Sequence, residues 1–139
     1  MKDQNLFLFN QLSTTTSTLH KKLDRTLGAL HGLGISEFRV LNQLNQIPNN
    51  TATRIELANC IGLTASGITR LLNPMEKIGL VEKQANKRDA RTSLVKLSRS
   101  GQKLFLDALE GADQIMSDSL KEITTAERKT LLSILQKIS

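Results

Sequence analysis

The sequence predicts a mostly α-helical fold with a minor β part. Apolar residues recur at steps of three and four near both ends of the chain, which is the spacing of one helical face. Residues 53–79 have the pattern of a helix, a short turn with glycine and a second helix. The next two apolar runs, 80–83 and 92–97, are joined by a polar connector and are typical of a β-hairpin. A helix-turn-helix followed by a hairpin is a winged helix, so we expect a winged helix-turn-helix between long N- and C-terminal helices.

The N-terminal part predicts two helices. The inward face of the first carries leucines, namely Leu8, Leu12, Leu19, Leu23, Leu27 and Leu30. We expect glycines to break this helix, at Gly28, Gly32 and Gly34. Ser36 is the expected N-cap of the second helix, which ends before residues 48–50. The inward residues of this second helix are Phe38, Leu41, Leu44 and Ile47.

The central part carries two helix-capping signals. Thr53 and Glu56 form a capping box, in which the hydroxyl accepts the N–H three residues on and the carboxylate reaches back. Thr64 is the expected N-cap of the next helix, which Gly79 should close. Pro74 lies inside that helix and predicts a kink near residues 71–73. The inward residues of the two helices are Ile55, Leu57, Ala58, Ile61, Ile68, Leu71, Leu72 and Met75.

The C-terminal part predicts a long helix and a shorter one. Ser98 is the expected cap of the long helix, whose apolar stripe runs from Leu104 to Leu120. Thr124 and Glu127 form a second capping box. The inward face of the last helix comprises Leu131, Leu132, Leu135 and Ile138. With no internal repeat or linker, we expect residues 1–139 to form a single domain.

The chain carries a net charge of +6, and the distribution of this charge is informative. Residues 64–103 hold nine Lys and Arg against three Asp and Glu, whereas the other residues hold ten against ten. A concentrated basic segment is typical of a nucleic-acid-binding face, and the alternative is chance clustering on a solvated surface. The stretch NKRDART, residues 86–92, lies inside this segment between the two predicted strands.

Composition excludes several classes of protein. The longest apolar run, residues 6–9, is far shorter than the roughly 20 residues of a membrane span. The N-terminus lacks a signal-peptide pattern, so we expect a cytoplasmic protein with no membrane partner. Cys60 is the single cysteine, and the four Phe are the only aromatic residues, which argues against a base-stacking surface for single strands. We expect no enzyme and no cofactor, because phosphate loops, nucleophile–base motifs and metal clusters are absent.

Residues 56–83, 88–101 and 123–138 carry a family resemblance. These stretches resemble the MarR family of bacterial transcriptional regulators. LTASGITRLLNPMEKIGLVEK, residues 63–83, is similar to the family's recognition helix and first wing strand, and ELANCIGL matches the helix before it. RDARTSLVKLSRSG, residues 88–101, resembles the wing pattern, and ITTAERKTLLSILQKI resembles the family's C-terminal helix. The resemblance implies a homodimer that binds a pseudo-palindromic operator in double-stranded DNA. It also implies that 36–97 form the DNA-binding part, and that 1–31 and 98–139 form the dimerisation part.

The start of the recognition helix is the first candidate DNA contact. Its free N–H groups and positive dipole end form a seat for phosphate. The residues that we assign to this contact are Thr64, Ser66, Gly67, Thr69 and Arg70. Arg70 can reach a phosphate or a guanine edge. For Thr64 the alternative is a purely structural N-cap, and Gly67 can allow close backbone approach to a phosphate.

The wing is the second candidate contact. The resemblance implies that Arg91 enters the minor groove, where narrow AT-rich stretches concentrate negative potential. Asp89 can pair with an arginine and hold the wing tip in shape. Lys87 and Arg88 add phosphate attraction that falls with salt.

These assignments predict a sequence-specific transcriptional regulator, and the resemblance implies a repressor that a small-molecule ligand releases or modulates. One alternative is a winged-helix module that binds proteins. A second is a redox sensor that uses Cys60, although a buried structural cysteine is the simpler interpretation. His20, Asp24 and His31 are spaced to share one helical side, but we expect Gly28 to end the helix first, so we assign no metal site.

Overall fold

Six α-helices and a three-stranded antiparallel sheet make up the computed structural model, which describes residues 2–139 and the side chains from residue 3 onwards. The N-terminal helices are α1 (Lys2–His31) and α2 (Ile35–Gln46), followed by a 3₁₀ turn at Pro48–Asn50. The central elements are β1 (Thr51–Thr53), α3 (Arg54–Ile61), α4 (Ala65–Lys77), β2 (Val81–Ala85) and β3 (Ser93–Leu97). The C-terminal helices are α5 (Arg99–Ser119) and α6 (Thr125–Ile138). None of the helices described is long and apolar enough to cross a membrane.

The expected helix caps at four positions are confirmed. Thr53, Thr64, Ser98 and Thr124 each accept a hydrogen bond from the backbone N–H three residues on, at 2.9–3.2 Å. Short hydroxyl side chains do this because the first N–H groups of a helix have no partner within it. These caps fix where α3, α4, α5 and α6 begin.

The expected cap at Ser36 is wrong. The helix begins two residues earlier than expected, at Ile35, with Gly34 at the N-cap position. A carboxylate of Asp24, on α1, accepts the Ile35 N–H at 2.9 Å and so supplies the cap from another helix. The Glu37 carboxylate reaches back to the Gly34 N–H at 3.3 Å.

The expected break at Gly28 is also wrong, because α1 continues to His31. A glycine inside a helix costs about 1 kcal/mol, which the packing of α1 along α5 outweighs. Pro74 lies in the last turn of α4, which continues to Lys77, and the kink expected near residues 71–73 stays a prediction. Proline has no N–H, so α4 lacks one hydrogen bond in its last turn. The helix ends three residues later, so few further hydrogen bonds depend on this turn.

The sheet contains one strand that the sequence patterns did not predict. The strand order is β1-β3-β2, and both neighbours pair antiparallel with β3. Val95, in the middle of β3, pairs with Ala52 on one side and Lys83 on the other. At three residues β1 is too short to show a period, and its pairing with β3 joins segments more than 40 residues apart. The predicted hairpin is confirmed.

The core lies between α2, α3, α4, the sheet and the first half of α5. Its largest fully buried side chains are Phe105, Leu27, Leu33, Leu41, Leu44, Leu57, Ile68, Leu72, Met75 and Val40. Several side chains that we expected to face inward are instead exposed, namely Leu8, Leu30, Ile55, Leu131, Leu132 and Ile138. Most of them lie at the two ends of the chain, where α6 and the first half of α1 have little of the same chain to pack against.

The start of α5 packs tightly against the turn after α4. The Ser98 N–H donates to the Leu80 carbonyl oxygen at 3.1 Å. The Ser98 hydroxyl lies 2.5 Å from the carbonyl oxygen of Gly79 and 2.9 Å from that of Leu80, both acceptors for its proton. Gly101 faces the same peptide, so closely that an added Cβ would overlap the Leu80 carbonyl oxygen. Only glycine therefore fits at this position without a shift of the backbone.

We expect Gly101→Ala to lower the free energy of unfolding by about 1–3 kcal/mol, because the new methyl group must displace α5 or the turn. Gly111→Ala, in the same helix, is the matched control, since a Cβ there meets nothing within 4 Å. Gly111→Ala should raise the free energy of unfolding by about 1 kcal/mol through helix propensity alone. Urea denaturation at one protein concentration measures both. Equal effects of the two substitutions would contradict a close contact at Gly101.

Candidate nucleic-acid interface

The turn between α3 and α4 is held by glycine and by an arginine from α2. Gly62 ends α3 in the left-handed conformation, with φ of 77°, and donates to the Ala58 carbonyl oxygen at 2.9 Å. The Arg39 guanidinium donates to the carbonyl oxygens of Ile61, at 3.0 Å, and Cys60, at 3.4 Å. A cation suits these acceptors because the C-terminal end of a helix is partially negative. Arg39 thus fixes the end of α3 and the direction of the turn.

The helix α4 has a buried side and an exposed side. Ile68, Leu72 and Met75 are buried in the core. The opposite side is exposed and presents polar side chains at helical spacing, at Ser66, Thr69, Arg70 and Asn73. We call these four residues the outer face of α4. Hydroxyl, guanidinium and amide groups on one exposed helical face are the donors and acceptors that read base edges in a major groove.

Asn73 belongs to the outer face although it was not among the expected site residues. It lies three residues after Arg70 and seven after Ser66, which is the spacing of neighbours on one helical face. The expected set stopped at Arg70 because it followed the first turns of the helix. The spacing that places Asn73 beside Arg70 was visible in the sequence.

Thr64 and Gly67 are explained by contacts within the chain. The Thr64 hydroxyl accepts the Gly67 N–H at 3.1 Å and lies 3.3 Å from the Ser66 hydroxyl. A Cβ at Gly67 would approach the Thr64 Oγ1 at 3.1 Å, which is a tight contact. The glycine therefore leaves room for the N-cap. Close approach of its backbone to a phosphate stays a prediction.

The loop between β2 and β3, residues 86–92, forms the wing and carries Arg91. The Arg91 side chain is 90% exposed, and its Nε donates to the Asp89 Oδ1 at 3.2 Å. The same carboxylate oxygen accepts the Arg91 backbone N–H at 3.0 Å. Asp89 and Arg91 are therefore paired, as expected, and the terminal nitrogens of Arg91 are left to meet another group.

Two residues that we did not assign to the site also hold the wing. The Asn86 side-chain amide donates to the Thr92 hydroxyl at 3.0 Å, and its oxygen accepts the Arg88 N–H at 3.0 Å. Thr92 in turn donates its N–H to the Asp89 carbonyl oxygen at 3.2 Å. Asn is common in turns because its side chain bonds the backbone two residues on, so this signal was present at Asn86.

The excess positive charge lies on the surface. All nine cations of residues 64–103 are exposed, on α4, the hairpin and the start of α5. Lys87 and Arg88 lie in the wing beside Arg91, and Arg70 lies on the outer face of α4. Exposed cations with few nearby acids attract polyanions over about 8–10 Å at physiological salt.

The structure corrects the expectation for Cys60. Cys60 is exposed, so the interpretation of a buried structural cysteine is wrong. The reason is the short helix α3, whose inward side is filled by Leu57, Ala58 and Ile61. A redox role for Cys60 stays a prediction.

The side-chain set His20, Asp24 and His31 forms no metal-binding group. Within residues 3–139 no cluster of three or more His, Cys, Asp or Glu is placed to hold a metal ion. Asp24 instead caps α2 through the Ile35 N–H. The expectation that Gly28 would separate these residues by ending the helix was wrong, since α1 extends to His31.

Comparison with known proteins points to one family. A family model described as the MarR family matches residues 31–92. Among curated proteins, the chain is 32% identical over 79 residues to the uncharacterised HTH-type transcriptional regulator YwhA of Bacillus subtilis (strain 168). The match covers 57% of this chain and 57% of that protein, so it spans little more than half of its relative.

Solved structures match nearly the whole chain. The transcriptional regulator BldR from Sulfolobus solfataricus is 26% identical, with a TM-score of 0.88 over 98% of this chain and 94% of that one. Sco3205, a MarR family transcriptional regulator from Streptomyces coelicolor solved in complex with DNA, is 20% identical, with a TM-score of 0.84 over 99% and 86%. A mutant MarR from E. coli complexed with operator DNA is 23% identical, with a TM-score of 0.83 over 98% and 96%. The expected fold, a mostly α winged helix-turn-helix, is confirmed.

We expect Thr64→Ala to lower the free energy of unfolding by about 1 kcal/mol, because the Gly67 N–H loses its acceptor. Thr64→Asp should retain the stability, since a carboxylate accepts the same N–H and suits the positive end of the helix. Urea denaturation distinguishes the two substitutions. If both lower stability equally, the hydroxyl is not acting as an N-cap.

Proposed function

We propose that the chain is a member of the MarR family and a sequence-specific regulator of transcription that binds double-stranded DNA. The observation that carries the proposal is the placement of the excess charge. All nine cations of residues 64–103 are exposed around a helix-turn-helix whose outer face is polar. The two related regulators that were solved with DNA have the same fold.

In the proposed complex, the outer face of α4 lies in the major groove. Arg70 donates to a guanine edge or to a phosphate, and Thr69 and Asn73 offer further polar groups to base edges. The N–H groups at the start of α4, with the hydroxyls of Thr64 and Ser66, face a phosphate. Because Ile68, Leu72 and Met75 are buried, the outer face cannot rotate away from the DNA without breaking the core.

The wing reaches the adjacent minor groove in this arrangement. Arg91 is the group that enters it, since its exposed guanidinium suits the negative potential of a narrow groove. Lys87 and Arg88 are exposed beside it and bind phosphates without reading the sequence. The wing thus adds affinity and a preference for groove shape to the reading by α4.

We also propose a homodimer, in which residues 1–31 and 98–139 form the contact between the two copies and residues 36–97 bind DNA. Large apolar side chains are exposed in the single chain on α1 and α6, including Leu6, Phe7, Leu8, Phe9, Leu132, Ile134 and Ile138. Exposed apolar groups in such numbers indicate an interface. A two-fold dimer would present two α4 helices to a pseudo-palindromic operator.

The remaining parts of the proposal concern regulation. We propose that the protein is a cytoplasmic repressor without enzymatic activity, and that a small molecule modulates its DNA binding. A groove of about 410 Å³ between α3 and α4 supports this, because apolar residues and two of the assigned DNA contacts, Thr64 and Thr69, line it. A ligand bound there would compete with DNA for α4.

We expect Arg91→Ala to weaken binding to duplex DNA about tenfold and to reduce the slope of log affinity against log salt by about 1. Lys121→Ala is the matched control, because it removes one exposed cation outside residues 64–103. Fluorescence anisotropy at several salt concentrations, on genomic fragments selected by the purified protein, gives both quantities. Unchanged affinity and slope in Arg91→Ala would remove the wing from the interface.

We expect the protected DNA to show two half-sites whose centres are about 10–10.5 base pairs apart, as two symmetric reading helices require. Leu132→Asp should convert the dimer to a monomer and abolish the paired pattern, because Leu132 is 61% exposed in the single chain. Analytical ultracentrifugation and hydroxyl-radical footprinting measure the two effects. A single unpaired half-site for the unmodified protein would contradict the dimeric arrangement.

A further inference from the structure

We propose that Asn86 and Thr92 are positioning residues that hold Arg91 ready for DNA. The inference rests on the proposed DNA-binding function. It adds two uncharged residues to the set on which DNA binding depends. Neither has to touch the DNA. They act through Asp89, by a continuous chain of hydrogen bonds across the wing.

The wing presents a problem of conformational entropy. Ala85 and Ser93 are the last paired residues of the hairpin, so residues 86–92 leave the sheet without ladder hydrogen bonds. A free loop of this kind would have to become ordered when it binds, which weakens affinity. A loop that is already ordered avoids that loss.

The first link of the chain is the side-chain amide of Asn86. Its Oδ1 accepts the Arg88 N–H at 3.0 Å, and its Nδ2 donates to the Thr92 Oγ1 at 3.0 Å. An amide has both an acceptor and a donor, which these two bonds need together. Asn86 therefore joins the two ends of the loop.

The second link is the hydroxyl of Thr92. Its oxygen accepts from Asn86, which leaves its own proton to donate to the Asp89 carbonyl oxygen, at 3.4 Å. The Thr92 backbone N–H donates to the same carbonyl at 3.2 Å. Thr92 thus connects the closed end of the loop to the backbone of Asp89.

The last link is the carboxylate of Asp89. Its Oδ1 accepts both the backbone N–H of Arg91, at 3.0 Å, and the Nε, at 3.2 Å. This fixes the start of a side chain that is 90% exposed. Arg91 would otherwise have to lose the freedom of several rotatable bonds on binding.

The test compares variants with and without Arg91. We expect Asn86→Ala and Thr92→Val to weaken duplex binding about three- to tenfold, which corresponds to ordering of one long side chain. The salt slope should not change, because no charge is removed. Thr92→Ser should bind like the unmodified protein, since it retains the hydroxyl. In the Arg91→Ala background, Asn86→Ala and Thr92→Val should cause no further loss.

Three results with the wing variants would overturn the inference. If the losses are as large in the Arg91→Ala background, the two residues act independently of Arg91, for example by direct contact with DNA. If Arg91→Ala weakens binding and neither Asn86→Ala nor Thr92→Val does, Arg91 needs no positioning, and the proposed function is unaffected. If Arg91→Ala itself has no effect, the proposed function of the wing fails as well.

A measurement of folding keeps these outcomes distinct. The substitutions lie in an exposed loop outside the core, so the thermal unfolding midpoint should stay within about 2 °C of the unmodified protein. Gln84→Ala, an exposed polar residue in β2, is the control for a change in the hairpin that leaves the loop bonds intact. A loss of affinity in Gln84→Ala as large as that in Thr92→Val would show a general effect of the hairpin and overturn the inference.

Discussion

The close contact between the start of α5 and the peptide after Gly79 is the constraint on which the rest of the structure depends. Leu80 ends the turn after α4, because its N–H donates to the Met75 carbonyl oxygen at 2.9 Å, and Val81 begins β2 directly afterwards. Ser98 directly follows β3 and caps α5, and it bonds to Leu80 through both its N–H and its hydroxyl. One peptide therefore sets the relative directions of α4, the hairpin and α5. The outer face of α4 and the wing are separate in sequence, but their relative position follows from this contact.

Much of the fold could be predicted because its signals are local. The caps at Thr53, Thr64, Ser98 and Thr124 depend on residues three positions apart, and the hairpin depends on two short runs with a polar connector. The pairing of Asp89 with Arg91 is also local. These features need no knowledge of the rest of the chain.

The features that could not be predicted depend on partners distant in sequence. Arg39 bonds to carbonyl oxygens more than 20 residues away, and Asp24 caps a helix that begins 11 residues later. The strand β1 exists because β3 pairs with it. The exposed apolar faces of α1 and α6 are a different case. The helical period predicted apolar faces on both helices but placed Leu8, Leu132 and Ile138 inward, because a period alone cannot say whether the same chain covers such a face.

Charge and hydrogen bonding have separate roles in the proposed interface. Nine exposed cations attract a polyanion over a long range but cannot choose an orientation, because the attraction between unit charges depends on distance alone. Orientation must come from groups whose geometry is fixed before binding. The core holds α4 by Ile68, Leu72 and Met75, and uncharged side chains at Asn86 and Thr92 bond across the wing. A search for basic residues alone therefore finds the cations of the proposed interface and misses the neutral side chains that bond across its wing.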